Sequence, residues 1–489
     1  MKRSFGGWIG GVLAGCLFLS CLHGHRWSLP ERIDEYMQRV AARGFSGALL
    51  VAKGQQIILA KGYGFADRER KLPVTPRTVF TVGSITKQFT AAAILKLYEL
   101  GKLDLRDPID RYFPNVPPDK AGITLHHLLT HTAGFPDAIG DDFEPISREE
   151  FVALALRTPL LFLPGERYHY SNVGYSLLGA IIEQLTDTSY ERFLHDALFV
   201  PAGMKETGYV LPAWRESQLA HGYRGARDWG TLRDHRWASD GPYWHLRANG
   251  GILSTIGDLY KWHVALESGR VLPDTLRDLL YRPYVREGPE ANSFYGYGWA
   301  LFTTSRGTRL VAHNGGNGIF SADFLRFLDE DVVVICLANV AGKPAWQASE
   351  TVARIVFGEP YELPAEKVEA LPLPLRGASP MEGHALALLR LLNQGDTTAV
   401  AEVLEAHFAP AYQQPERLAR LRSFVQRVGS RQAPLTVVQA EKVGDTSLEL
   451  TLRSEKTGDW WLLTVDFAED PLHRITGMRM VDTAPLEGP

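Results

Sequence analysis

Two residues one helical turn apart carry the most reactive chemistry that this sequence suggests. Ser84 and Lys87 form a Ser-x-x-Lys pattern, which places both side chains on one face if the segment is helical. A serine hydroxyl becomes a nucleophile when a neighbouring base removes its proton, and lysine is such a base when burial lowers its pKa. The pattern alone is weak, because the same residues would serve equally well as a helix N-cap and a solvated lysine.

A second group of polar residues follows a turn at Pro164-Gly165. Tyr170 and Asn172 lie two positions apart, so an extended loop points both side chains to the same side. A phenol can relay a proton to a leaving group, and an asparagine amide can bind a substrate carbonyl or orient a lysine. The structural alternative is a half-buried tyrosine followed by an asparagine N-cap.

The third polar group closes a strand-like run and consists of His313, Asn314, Gly315 and Gly316. Glycines there would let a substrate backbone approach the strand edge closely. The backbone N–H groups of Ser84 and Gly316 are predicted to form an oxyanion hole, with Asn314 and Gly315 at the same substrate-binding edge. His313 is predicted to face the nucleophile. The alternative is a glycine-rich turn with an incidental histidine.

The order and spacing of these groups resemble the serine β-lactamase-like superfamily, which includes class C β-lactamases, D-Ala-D-Ala carboxypeptidases, D-aminopeptidases and β-lactamase-fold carboxylesterases. Supporting segments lie at 80–87, 101–108, 128–136, 164–175, 249–255 and 296–299. The resemblance implies an acyl-enzyme on Ser84 with Lys87 as base. It also implies that Tyr170 relays a proton and that Asn172 binds the substrate amide or orders Lys87.

One departure from the superfamily bears on the substrate. Its β-lactamases and many of its peptidases carry Lys-Thr-Gly where this chain has His313-Asn314-Gly315. The cation that pairs with a substrate carboxylate is therefore missing unless His313 is protonated. We predict hydrolysis of a small-molecule ester, amide or peptide, and rank esterase or D-amino-acid peptidase activity above β-lactamase activity. The alternative is a catalytically silent penicillin-binding-like protein that binds cell-wall peptides or another ligand.

The elements that must position these groups include both helices and strands. A hairpin is predicted from 48–52 and 57–60 with Gly54 in its turn, and a helix from about Ser84 to Leu100. The run 332–337 is predicted to be a buried strand that holds Cys336 as a small hydrophobic residue. The resemblance implies an α+β, β-lactamase/transpeptidase-like fold, with an antiparallel central sheet flanked by helices and a mainly helical subdomain.

The 489 residues divide into four predicted parts. Residues 1–25 are a signal peptide or lipoprotein leader, and 30–358 are the hydrolase domain. A proline-rich linker spans 359–380, because proline at that density opposes helix and sheet. Residues 381–489 form an accessory α+β module, whose helix-then-strand order is similar to NTF2-like cone domains. We expect this module to shield the site mouth or to aid dimerisation, and the sequence leaves the oligomeric state open.

The leader predicts export to the periplasm, the membrane surface or the medium. Lys2 and Arg3 precede an apolar stretch that runs to about Leu22, as in a secretory signal. The residues before Cys16 resemble a lipoprotein box, and Cys21 is a poorer match. Lipid attachment at either cysteine, a plain cleaved signal and an uncleaved anchor all remain open.

Several other classes of function lack support. The formal net charge is −4 and no block of Lys and Arg stands out, so no nucleic-acid partner is expected. There is no G-x-S-x-G turn and no nucleotide-binding glycine loop, and no cofactor is expected. His127 and His131 are one helical turn apart and close to His126, but no H-E-x-x-H pattern or placed carboxylate completes a metal set. We therefore predict no metal.

Overall fold

The computed structural model describes residues 27–225, 227–289, 291–364 and 368–482. The predicted leader at 1–25, with Cys16 and Cys21, lies outside the described residues. Within these described ranges, no helix combines the length and the apolar character needed to cross a bilayer.

Helices and strands intermix up to residue 358. The described α-helices are α1 (Leu29–Ala42), α2 (Thr86–Glu99), α3 (Leu125–Leu129), α4 (Arg148–Arg157), α5 (Asn172–Thr186), α6 (Tyr190–Leu194), α7 (Val200–Ala202), α8 (Ile256–Glu267), α9 (Asp274–Leu280) and α10 (Ala345–Phe357). The longer strands are β1 (Gly47–Lys53) and β2 (Gln56–Tyr63), followed by the short β3 (Phe65–Asp67), β4 (Leu72–Pro73), β5 (Phe80–Thr81), β6 (Gly222–Arg224), β7 (Arg227–Gly230) and β8 (Leu253–Ser254). The remaining strands are β9 (Val285–Arg286), β10 (Ser293–Tyr295), β11 (Ala300–Thr303), β12 (Arg309–Gly316), β13 (Ser321–Phe327) and β14 (Val332–Ala338).

An eight-stranded antiparallel sheet forms the centre of this part, in the order β2-β1-β14-β13-β12-β11-β10-β9. Successive side chains of a strand point to opposite faces. In β1, Leu49 and Val51 therefore pack towards α1 and α10 on one face. Leu50 and Ala52 pack into the larger core on the other face, where α2, α5 and α8 lie. The central strands are covered on both sides, which explains why every residue of β14 is buried.

The predicted hairpin, the helix that follows Ser84 and the buried strand are confirmed. The hairpin is β1 and β2, with Gly54 at φ +57° in the turn, and Cys336 is buried in β14. Ser84 lies in a short 3-10 turn, Gly83–Ile85, directly before α2. The sheet, its flanking helices and the helical subdomain from α2 to α7 form the β-lactamase/transpeptidase-like fold that the resemblance implied.

A second α+β unit follows with its own apolar core. Its helices are α11 (Pro380–Gln394), α12 (Val400–His407) and α13 (Pro415–Arg431), and its sheet has the order β15-β16-β17-β18-β19. The strands are β15 (Val368–Ala370), β16 (Leu435–Val443), β17 (Ser447–Ser454), β18 (Trp460–Phe467) and β19 (Ile475–Asp482). The helix-then-strand order agrees with the expectation for 381–489.

The predicted linker needs a correction. Val368–Ala370 lies inside 359–380, yet it forms the edge strand β15 and pairs antiparallel with β16. The prolines at 364 and 372 flank this strand and do not interrupt it. Because an edge strand needs hydrogen bonds on one side only, prolines next to it are tolerated.

Candidate active site

Close backbone packing sets the position of Ser84. The turn that carries it connects β5 to α2 and lies against β12. A Cβ atom on Gly315 would lie 2.1 Å from the Val82 carbonyl oxygen and 2.7 Å from the Ser84 nitrogen, and one on Gly83 would lie 2.3 Å from the Gly316 nitrogen. Glycine is thus required at Gly83 and Gly315 so that the nucleophile turn can touch the strand. This reason differs from the substrate approach that the sequence suggested.

Lys87 lies in the first turn of α2 and its residue exposure is 0%. Its Nζ is 3.1 Å from Ser84 Oγ, 2.6 Å from Asn172 Oδ1 and 2.8 Å from the Asn249 carbonyl oxygen. Burial lowers the pKa of Lys87 to about 7, although the carboxylates of Asp137 and Asp142 act in the opposite direction. The amine is therefore substantially neutral at physiological pH.

The three contacts orient the neutral amine. A neutral lysine has two N–H bonds and one lone pair, and the oxygens of Asn172 and Asn249 can only accept hydrogen bonds. Asn172 presents Oδ1 to the lysine because its Nδ2 donates to Asp137 Oδ1 at 3.3 Å. When both N–H bonds go to these oxygens, the lone pair of Nζ faces the Ser84 hydroxyl. Such an amine is arranged to accept the serine proton.

Tyr170 is close to both Ser84 and Lys87. Lys87 Nζ is 4.7 Å from the centroid of the Tyr170 ring. Burial raises the pKa of Tyr170, while a hydrogen bond with Ser84 opposes that shift. The phenol is therefore neutral near pH 7 and holds a proton beside the serine oxygen. The structure thus brings Ser84, Lys87, Tyr170 and Asn172 together, as the sequence predicted.

The loop that carries Tyr170 and Asn172 is held by the segment 131–137. Ser171 Oγ donates to the Pro136 carbonyl at 2.7 Å, and the Asn172 nitrogen donates to the Asp137 carbonyl at 2.8 Å. The Ser171 nitrogen donates to His131 Nδ1 at 3.0 Å. Asn172 is the first residue of α5 and Ser171 takes the N-cap position, so Asn172 does not act as the N-cap that the structural alternative proposed.

His131 is a structural part of the site that sequence reasoning did not assign. It is 2% exposed, its backbone has φ +59°, and its ring centroid lies 4.3 Å from that of Tyr170. Its Nδ1 accepts a hydrogen bond, and burial holds the pKa of the imidazole well below its usual value. His131 is thus a neutral imidazole that packs against the Tyr170 ring and anchors its loop.

The two other histidines of this segment also have protein partners. His126 Nδ1 lies 2.8 Å from the Tyr297 hydroxyl, and His127 Nδ1 accepts from the Thr124 nitrogen at 3.2 Å. Within the described residues, no group of three His, Cys, Asp or Glu side chains is arranged to hold a metal ion.

His313 is buried and neutral. Burial first, and then the nearby Lys87, lower its pKa to about 4. Its Nδ1 lies 2.6 Å from the Asn314 carbonyl, which can only accept, and its Nε2 lies 2.9 Å from the Tyr295 hydroxyl. Nδ1 therefore carries the proton and Nε2 accepts from Tyr295. Both ring nitrogens have partners other than Ser84, so His313 supplies neither a cation nor a free hydrogen-bonding group to the nucleophile.

The last four residues of β12 are His313, Asn314, Gly315 and Gly316. They belong to the strand and do not form the glycine-rich turn that the structural alternative proposed. Gly315 and Gly316 pair with Ala322 and Ser321 of β13. The Gly316 nitrogen lies next to the turn that carries Ser84. An oxyanion hole formed by the backbone N–H groups of Ser84 and Gly316 would lie at this contact. The side chain of Asn314 is exposed.

Ser84 borders two cavities with different linings. A groove of about 1200 Å³ contains Tyr168, Tyr170, Glu287 and Tyr295. A small cavity of about 50 Å³ lies on the Asn172 side, with Asp142, Phe143, Leu232 and Asn317 among its lining residues. Asn249, Asp137 and Asp142 were missed by sequence reasoning. The resemblance over 249–255 was the one signal for Asn249, because a contact through a backbone carbonyl leaves no mark in residue type.

Comparison with known proteins agrees with this geometry. An antiparallel sheet with a Ser-x-x-Lys turn packed against the end of one of its strands is typical of the serine β-lactamase-like superfamily, a superfamily of serine hydrolases. A family model described as Beta-lactamase matches residues 30–356, so the chain belongs to the beta-lactamase family. The resemblance inferred from the sequence is confirmed.

Curated and solved relatives extend this result. Penicillin-binding protein 4* of Bacillus subtilis (strain 168) is 30% identical over 357 residues, which cover 70% of this chain and 77% of that protein. Matches to other curated relatives span 63–64% of their lengths. The structure of D-amino acid amidase from Ochrobactrum anthropi SV3 with L-phenylalanine amide is 26% identical, with a TM-score of 0.58, and covers 68% of this chain and 99% of that one.

A further structure matches the fold of nearly the whole chain. The octameric penicillin-binding protein homologue from Pyrococcus abyssi has a TM-score of 0.61 at 21% identity, and the match covers 92% of this chain and 98% of that one. At this identity the match concerns the fold alone.

Proposed function

We propose that this protein is a serine hydrolase that cleaves esters or amides through an acyl-enzyme on Ser84. The observation that carries the proposal is the buried Lys87 amine, which lies 3.1 Å from Ser84 Oγ and also contacts two oxygens that can only accept, Asn172 Oδ1 and the Asn249 carbonyl. A base works best when its pKa is close to the working pH, and a pKa of about 7 meets that condition.

The reaction follows from this arrangement. Ser84 Oγ attacks the substrate carbonyl carbon while Lys87 Nζ takes the hydroxyl proton. The N–H groups of Ser84 and Gly316 stabilise the negative oxygen that forms. When the carbonyl re-forms, the alcohol or amine departs with a proton that Lys87 returns through the Tyr170 phenol. A water molecule then gives a proton to Lys87 and attacks the acyl-serine carbonyl carbon. Lys87 passes this proton to Ser84 Oγ as the C–O bond breaks, which releases a carboxylic acid and free Ser84.

The lining of the site supports esters and amides over β-lactam antibiotics. Penicillins and cephalosporins carry a carboxylate, and its usual partner in this superfamily is the lysine of Lys-Thr-Gly. His313 stands at that position and its pKa of about 4 leaves it uncharged. We therefore place esterase and D-amino-acid amidase or peptidase activity first. The D-amino acid amidase among the solved relatives is in keeping with this order.

The first test is labelling of the purified protein with a fluorophosphonate probe, which reacts with activated serines. Wild type should be labelled and Ser84→Ala should not, whereas Ser268→Ala, which removes an exposed serine, should match wild type. Lys87→Ala should lower the labelling rate by at least about 10³-fold, and Lys96→Ala on the same helix should not. Equal labelling of Ser84→Ala, or no labelling of wild type, would instead favour a catalytically silent binding protein.

A turnover panel then ranks the substrates. We expect hydrolysis of a p-nitrophenyl ester and of amino-acid amides, and slow or absent hydrolysis of a chromogenic cephalosporin. Fast cleavage of the cephalosporin without turnover of esters or amides would reverse the ranking while leaving the role of Ser84 in place.

A further inference from the structure

The two cavities at Ser84 would receive different halves of a substrate. Tyr170, which would protonate the leaving group, lines the large groove and not the small cavity. Asn172 lines the small cavity and not the groove. The leaving group therefore belongs in the groove and the acyl group belongs in the small cavity. This assignment rests on the proposed function.

The small cavity sets the size of that acyl group. Its volume of about 50 Å³ gives room for roughly three water-sized groups. The apolar part of the cavity wall is formed by the side chains of Phe143, Leu232 and Leu246. An acyl group with a short branch, such as an alanyl group, is of the right size, whereas a long acyl chain is too large.

The side chain of Asp142 is the one ionisable group among the residues that line this small cavity. Within the described part of the chain, no hydrogen bond or ion pair engages its carboxylate. Burial, together with the negative charges of Asp141 and Asp137, raises the pKa of Asp142, although the nearby Lys87 acts in the opposite direction. A bound cation strongly stabilises the charged form of such a carboxylate. The positive partner offsets both the lost hydration of the carboxylate and its repulsion from the neighbouring charges.

Neighbouring packing holds Asp142 in place. The Phe143 ring stacks on His235 with centroids 4.8 Å apart, and His235 in turn lies 3.7 Å from Trp229. The Phe143 nitrogen donates to Asp141 Oδ1 at 2.9 Å. The carboxylate is thus presented by a packed loop and not by a free surface segment.

The rest of the described site offers no free cation for a substrate carboxylate. Lys87 is enclosed and largely neutral. Of the groove residues, Arg306 is paired with Glu330 and Glu359, and Arg354 is paired with Glu350. Glu287 adds a further carboxylate on the groove side. The lining therefore favours a positively charged substrate over a negatively charged one.

We infer that Asp142 binds an ammonium group on the acyl side of the substrate, so that the protein prefers small amino-acid amides or esters with a free α-amine. The ammonium donates to the Asp142 carboxylate while the carbonyl carbon lies at Ser84 Oγ. Asp142 is then a specificity-determining residue. A charge-assisted hydrogen bond of this kind would change substrate preference by about 10- to 100-fold.

The test compares two p-nitroanilides of equal shape. Alanyl p-nitroanilide carries the ammonium, and isobutyryl p-nitroanilide has a methyl group in its place. Both alanyl enantiomers are measured and the faster one is used. For wild type at pH 7, we expect kcat/KM to be at least about tenfold higher for the alanyl substrate. Asp142→Asn, which keeps shape and removes charge, should lower this ratio by about tenfold or more.

Glu144→Gln is the matched control. It removes the same charge two residues away, from an exposed side chain, and its alanyl-to-isobutyryl ratio should stay within about twofold of wild type. If Asp142 had only a structural role, Asp142→Asn would slow both substrates equally and leave the ratio unchanged, which would overturn the inference. A wild-type preference for the isobutyryl substrate, or ester turnover without turnover of either anilide, would overturn it as well.

Failure of this inference is distinguishable from failure of the proposed function. If fluorophosphonate labels Ser84 and p-nitrophenyl esters are hydrolysed, the hydrolase assignment stands even when the anilide ratio does not respond to Asp142→Asn. If Ser84 is not labelled, the hydrolase assignment fails and the assignment of Asp142 fails with it.

Discussion

Lys87 combines complete burial with three polar contacts. The side chain comes from the first turn of α2 and its partners are distant in sequence, at Asn172 and Asn249. Taking an ammonium out of water is costly unless a negative charge faces it closely. The two oxygens at 2.6 and 2.8 Å carry no formal charge, so they support the amine without restoring its usual pKa. This balance produces a lysine that can act as a base near neutral pH.

The pH dependence of turnover should report this lysine. The base works when it is deprotonated, so we expect kcat/KM to rise with pH and to level off above a midpoint near 7. His313 has a pKa of about 4, and the pKa of His131 is also lowered, so both imidazoles stay neutral through this range. Rates are measured from pH 5 to 9 on an uncharged ester.

Two results bear on this assignment. Lys87→Arg keeps the positive charge but cannot lose its proton, so it should lose the rising limb together with most of the activity. A wild-type profile that is flat from pH 5 to 9, or one that rises only above pH 9, would mean that Lys87 is not the base.

At the scale of elements, the site depends on contact between a turn and a strand. The turn Gly83–Ile85 lies against the end of β12, and the two backbones approach so closely that Gly83 and Gly315 have no room for a side chain. Lys87 lies in the first turn of α2, and Asn172 is the first residue of α5. Since the proposed catalytic groups come from different elements, small shifts between elements should matter more than small changes within them.

Gly315→Ala tests this contact. Its methyl group would lie 2.1 Å from the Val82 carbonyl oxygen, so the turn must move away from the strand. We expect kcat/KM to fall by about 10²-fold or more, because a displacement near 1 Å is enough for such a loss, and stability to fall by about 1–3 kcal/mol. Activity and thermal unfolding are measured on the same preparation.

Gly122→Ala is the control for this substitution, because a Cβ atom there meets nothing within 4 Å and no positive φ is required. It should retain wild-type activity and stability. Retention of full activity by Gly315→Ala would show that the close contact does not position Ser84.

At the scale of the whole molecule, each of the two described units has apolar clusters of its own, three in the first unit and one in the second. In the described structure, no residue of 381–489 lines either cavity at Ser84. The second unit meets the first on the side of α1 and α10, in a groove that contains Arg43, Lys343, Glu449 and Arg479. The expectation that this module shields the site mouth therefore finds no support in the structure. A role in dimerisation stays a prediction, as does export directed by the leader.

The separate apolar cores of the first and second units predict two separable unfolding events. Leu450 is fully buried in the C-terminal core, and Leu450→Ala should destabilise that unit by about 2–5 kcal/mol. Labelling of Ser84 should not change at temperatures where the first unit stays folded. Leu337→Ala, at an equally buried position of β14, should instead lower the stability of the first unit and end labelling at a lower temperature. Calorimetry and labelling are compared on both variants.

A single transition that both substitutions shift equally, with equal loss of labelling, would contradict this prediction. It would mean that the two units unfold as one cooperative body and that the C-terminal unit stabilises the catalytic one.

The sequence by itself predicted the candidate catalytic residues and several of the elements around them. Ser84, Lys87, Tyr170 and Asn172 lie in short motifs with local spacing, and β1, β14 and α2 follow from local patterns of apolar residues. These features depend on residues that are neighbours in the chain. α13 and the edge strand β15 were missed because the former is rich in charged residues and the latter is short and lies between prolines.

Only the tertiary structure decided how the motifs work together. The contact between Lys87 and the Asn249 carbonyl joins residues 162 positions apart, and a backbone carbonyl has no side-chain identity to recognise. The neutral state of His313 and the place of Asp142 in the small cavity beside Ser84 likewise depend on burial by distant segments. Burial and long-range hydrogen bonding set pKa values and cavity walls, and neither is encoded in local residue spacing.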